Sequence, residues 1–129
     1  MQSPTAKSLE KLREEGWNAA VVERWNQFAK RRIDLFNFAD LLAFRGEEIL
    51  AVQATDGSNV AHRMAKILAT PEASDLCMSW TRRLEIWCWR KVGARGKRKL
   101  YECRIVAFGW SNNEFKVLAL DDWATAWNE

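Results

Sequence analysis

The sequence predicts an α/β (α+β) fold, a central mixed β-sheet flanked by helices. Three observations predict it. Two apolar runs, 38–44 and 48–55, are joined by Arg45-Gly46-Glu47-Glu48, a hairpin signal. Helical spacing of apolar residues flanks them, with Leu9 and Leu12 before and Val60, Met64 and Ile67 after. Further strand-like runs follow at 82–92 and 100–109. At 129 residues the chain reads as a single domain, 1–129, long enough for a core of its own.

Taken in order, Ser3-Pro4 opens a helix with a capping hydroxyl and a proline at the first helical position. Gly16 stops it. Residues 17–25, rich in valine and alanine, read as a first strand, and 26–32 as a loop ending in Lys30-Arg31-Arg32. The hairpin comes next. Asp56-Gly57-Ser58 breaks its second strand and caps a helix from Asn59, with Val60, Met64, Ile67 and Leu68 facing the core. On that helix Asn59, Arg63, Lys66 and Thr70 form one polar stripe, either a solvated face or a phosphate-binding edge. Residues 71–80 form a short helix or irregular connection. The run 82–92 puts Leu84, Ile86 and Cys88 on one side, Trp87 and Trp89 on the other, and 100–109 is its antiparallel partner. A last strand, 115–120, and a short tail complete the chain.

The hairpin fixes a site. A two-residue loop with Gly46 first suits a type II′ turn, and in that register Asp40 faces Gln53 and Phe38 faces Thr55. Opposed residues share a sheet face, so Asp40, Gln53 and Thr55 converge. The pair has two readings: a satisfied polar couple in the core, or two oxygen ligands for a hard divalent cation.

Composition narrows the classes. Hydrophobic residues make up 48% and charged residues 29%, a globular balance. A net charge of +3 is too mild to identify a nucleic-acid partner, so charge distribution must decide. The densest cluster is 90–99, six cations in ten residues with two glycines, where Arg95, Lys97, Arg98 and Lys99 are candidate phosphate contacts beside Arg63. Three cysteines without Cys-x-x-Cys spacing and a single histidine argue against structural zinc, and make reduced thiols in the cytoplasm the expectation. No apolar run reaches membrane-spanning length. Eight tryptophans are assigned mostly to packing.

The order helix, strand, hairpin with aspartate on its first strand and a polar residue on its second, then helix, resembles the PD-(D/E)xK nuclease superfamily. It looks closest to small members akin to Holliday-junction resolvases and VRR-NUC domains. The resemblance spans roughly residues 3–70, with Ala39-Asp40 and Gln53-Ala54-Thr55 as the matching motif residues. It implies a restriction-endonuclease-like core that binds DNA, with Asp40 and Gln53 as ligands of Mg²⁺ or Mn²⁺ and Glu10 as a further contributor. Thr55 stands where the family has its catalytic lysine, so Lys66 or Arg63 would supply the cation. A catalytically silent DNA-binding domain is the rival expectation, and a tryptophan-based protein-interaction module a third. A homodimer stays open as the assembly.

Overall fold

Ser3 caps α1 (Pro4–Glu14), its hydroxyl accepting the Ala6 N–H at 3.1 Å. The structure is a computed structural model and describes residues 2–93, 96 and 100–120. Leu12 and Ser8 are the buried residues of α1, and the Ser8 hydroxyl accepts the Trp89 indole N–H at 2.8 Å. That bond locks the helix to the sheet.

Among the described residues eight strands follow: β1 (Asn18–Val21), β2 (Arg24–Asn26), β3 (Arg31–Ile33), β4 (Leu41–Arg45), β5 (Glu48–Asp56), β6 (Arg82–Val92), β7 (Leu100–Ser111) and β8 (Glu114–Leu120). Six of them make one sheet in the order β1-β4-β5-β6-β7-β8, while β2 and β3 pair only with each other. The β5–β6 pair is parallel and the other pairs are antiparallel, so the sheet is mixed as expected. A parallel pair needs a crossover, and α2 (Val60–Leu68) and α3 (Pro71–Leu76) provide it.

Alternation along the strands divides the core into two layers. Ala51, Leu84, Ile86, Cys88, Val106 and Phe108 pack with Val60 and Ile67 of α2 and Ala73 of α3. Leu41, Ala43, Leu50, Val52, Ala54 and Trp87 pack with Leu12 and Trp17 on the opposite face. The sides assigned to Leu84, Ile86, Cys88 and Trp87 hold.

The hairpin register holds from Leu41 onward, while Phe38, expected opposite Thr55, lies in a turn before the strand. Gly46, at φ +58°, is the first loop residue, and Phe44 faces Ile49 while Leu42 faces Ala51. Other expectations need correcting. The strand placed at 17–25 is divided, because the N–H groups of Val22 and Glu23 both turn to the Asp40 carbonyl. The loop placed at 26–32 is the β2–β3 hairpin. Strand β4 starts at Leu41, since Phe38 and Ala39 belong to a turn closed by the Leu35–Ala39 bridge. Asp56 turns its carboxylate onto the N–H and hydroxyl of Ser58 and does not cap α2. Leu68 is exposed: eight positions past Val60 it lies about 80° off the buried stripe. Trp25 and Trp80 are exposed too, whereas the partly exposed Trp110 rests its ring against Phe115. Arg95, Lys97, Arg98 and Lys99 of the basic loop lie outside the described residues.

Among the described residues no helix is long and apolar enough to cross a membrane.

Candidate metal centre

Asp40 sits where four chain segments meet. Its N–H donates to Val52 at 2.9 Å, and its carbonyl accepts the Val22 and Glu23 N–H groups at 2.8 and 3.3 Å. Its Oδ2 accepts the Ala54 N–H at 2.9 Å and the Gln53 amide at 2.7 Å. Asp40 and Gln53 thus meet on one face, as the turn demanded. Gln53 is 1% exposed, and its Nε2 also reaches Asp34 Oδ2 at 3.3 Å. Its Oε1 is buried without a hydrogen-bond partner.

Two further carboxylates complete the cluster. Asp34 directly follows β3, and the chain returns to Asp40 through a turn whose central residues, Phe36 and Asn37, have φ of 52° and 67°. Asparagine tolerates that left-handed region, whereas phenylalanine is strained there. Glu23 lies between β1 and β2, its backbone tied to Asp40. One carboxylate oxygen each from Glu23, Asp34 and Asp40 all lie within 4.8 Å of one another.

Burial, then a hydrogen bond with Asp34 and then that neighbour's negative charge, push the Asp40 carboxyl up to about 8. The Ala54 N–H and the Gln53 amide pull the other way. The proton that the buried Asp40 keeps stands beside the half-buried Asp34, where a cation would take its place.

The cluster opens into a polar cleft of about 460 Å³, with Arg31, Arg32, Asn59 and Arg63 among its lining residues. Thr55 is buried, and its hydroxyl accepts the Arg63 Nε–H at 3.0 Å. The position that cannot carry positive charge itself therefore holds a guanidinium from the first turn of α2.

Not every expected residue joins. Lys66, one turn beyond Arg63, is not among the lining residues of the cleft. Glu10 lies in a separate groove with Lys7, Trp89 and Tyr101, its carboxylate accepting the Gln2 amide at 3.0 Å. The helix brings Pro4 and Thr5 to the cleft, and Glu10 is about 9 Å further along its axis from Pro4. In the cluster its place is taken by Asp34 and Glu23, neither of them expected from the sequence. The signal for them was an acidic residue at either end of the basic segment 24–32.

No protein-family model, curated protein or solved structure matches this chain.

The donor set suits a hard divalent cation: three carboxylates, with an amide beside them. Opposite ligands of one ion stand about 4.2 Å apart at magnesium distances and about 4.8 Å apart at calcium distances, so oxygens within 4.8 Å of one another are close enough to share an ion. The partnerless Gln53 Oε1 is the second sign. Rotating the amide end for end would turn this buried acceptor toward the carboxylates, where a cation among them would satisfy it.

Proposed function

We propose that the chain is a metal-dependent DNA endonuclease of the PD-(D/E)xK type, built on a restriction-endonuclease-like core. One observation carries the reading: Asp34, Asp40 and Gln53 converge at the hairpin with Arg63 held beside them on Thr55. The ligands of Mg²⁺ or Mn²⁺ would be Asp40, Asp34 and Glu23, with Gln53 as a neutral oxygen donor. When bound, the cation supplies Lewis acidity at a phosphoryl oxygen and lowers the pKa of a water.

The chain's own residues do the rest. Arg31 and Arg32 bind phosphate oxygens at the cleft and orient the strand. Arg63 faces the negative charge that builds up as the phosphodiester breaks, and Thr55 fixes its direction. Asp40 releases its shared proton as the site loads, so loading strengthens as pH rises. In the unloaded site Asp34 and Asp40 hold the Gln53 amide by its N–H, and loading would turn its oxygen to the cation.

The rival reading, a silent DNA-binding domain, is favoured by Thr55 itself, which carries no charge. Cleavage assays on junction, flap and linear DNA with Mg²⁺ or Mn²⁺ separate the two. A nuclease cuts at least one substrate and stops on chelation. A silent binder retains DNA and cuts none.

A further inference from the structure

Asp34 belongs to two clefts. Besides the acidic one, it lines a neighbouring cleft of about 340 Å³ with Arg24, Trp25, Asn26 and Phe36. That second cleft lies between the β2–β3 ribbon and the strained turn at Phe36.

The ribbon is a preorganised element. Asn26 Oδ1 accepts the N–H groups of Phe28 and Ala29, both at 2.9 Å, and Lys30 takes the left-handed conformation at φ 56°. This holds Phe28 at the tip, 90% exposed. Trp25 and Phe36 are 60% and 59% exposed, although both line the cleft. Water-facing aromatics of this size call for a partner with flat apolar faces.

Charge says which partner. Arg24, Lys30, Arg31 and Arg32 are all exposed, and none forms an ion pair with a described residue. Four unneutralised cations among exposed aromatics match a single nucleic-acid strand, with phosphates for the cations and bases for the rings. A protein partner would have to bring a matching acidic surface as well.

We propose that this second cleft takes an unpaired DNA base, stacked on Trp25 and Phe36, while Arg31 and Arg32 hold the adjoining phosphates. The inference rests on the nuclease reading and names its substrate class: DNA with unpaired nucleotides beside duplex, as at a fork, flap or junction. Because Asp34 is common to both clefts, the base next to the reacting phosphate is the one read.

The test is binding in EDTA, where nothing is cut. A fork carrying 2-aminopurine at its first unpaired position is compared with a blunt duplex of the same sequence. Wild-type protein is expected to prefer the fork and to quench the 2-aminopurine. Trp25→Ala should weaken fork binding roughly 5- to 150-fold, leave duplex binding within about twofold and lose the quenching. Trp25→Phe should keep it. Arg31→Ala should lower the log–log salt slope by about one on both DNAs. A wild-type protein without fork preference or quenching overturns the proposal. So does an unchanged Trp25→Ala Phe36→Ala double variant whose circular dichroism matches wild type. Metal-dependent cleavage surviving such a result would leave the nuclease reading standing and remove only the base-stacking role.

Discussion

Replacing Asp40 with asparagine should stabilise the metal-free protein at neutral pH while destroying its affinity for divalent cations. The folded chain keeps the Asp40 proton up to about pH 8, whereas an unfolded chain releases it near the ordinary value of 3.8. Between those values the folded state binds more protons, so stability falls as pH rises. Each pH unit in that window is worth ~1.4 kcal/mol, and the roughly three units up to pH 7 set an upper bound of about 4 kcal/mol. Asparagine has the shape of the protonated acid: its oxygen can accept the Ala54 N–H and its amide can donate to Asp34. It carries no proton to lose. Urea denaturation in EDTA at pH 5, 7 and 8.5 checks this. Wild-type protein should weaken steadily across the series and the variant should stay flat, ahead by roughly 1–4 kcal/mol at pH 7. Added Mn²⁺ should restore wild-type stability at pH 8.5 by about 1.4 kcal/mol at tenfold excess over its Kd, and leave the variant unmoved. A wild-type protein that grows more stable from pH 5 to 8.5 in EDTA would refute the shared-proton account.

Other expectations concern single residues. Arg63→Ala should lower the cleavage rate by roughly 10²–10³ with DNA binding largely kept, whereas Lys66→Ala should stay near wild type; single-turnover kinetics on the best substrate decides. Gln53→Glu adds a carboxylate to the cluster, so metal-free stability at pH 8 should drop while Mn²⁺ affinity rises, both readable by calorimetry. Ser8→Ala removes the partner of the half-buried Trp89 indole N–H and should cost about 0.5–1.5 kcal/mol in denaturant without altering cleavage.

The hairpin was legible because two local facts decide it. Gly46 supplies the left-handed loop residue, and the two-residue period then carries Asp40 to Gln53 without further information. Arg63 was legible as a member of a polar stripe, but not its bond to Thr55, which depends on how α2 lies over the sheet. Glu23 and Asp34 were hidden for a different reason. Glu23 is placed by backbone bonds to the carbonyl of a residue far along the chain, and no local pattern encodes that. Asp34 depends on a turn through Phe36 in a conformation that phenylalanine disfavours, so propensity argues against the turn that builds the site. The β2–β3 ribbon escaped notice likewise: its turn, Gln27-Phe28-Ala29-Lys30, contains neither glycine nor proline. Glu10 was misplaced because helical periodicity says which residues share a face, not where along the sheet the helix lies.

Whether the Asp34–Asp40–Gln53 cluster supports phosphodiester hydrolysis is read directly from DNA cleavage. Wild-type and Asp40→Asn proteins are incubated with end-labelled junction, flap and linear DNA in Mn²⁺, in Mg²⁺ and in EDTA. Metal-dependent products are expected from the wild type on at least one substrate, none in EDTA, and none from the variant in any condition despite its intact fold. Equal cleavage by the variant, or no cleavage of any DNA by the wild type, would contradict a hydrolytic role for the cluster.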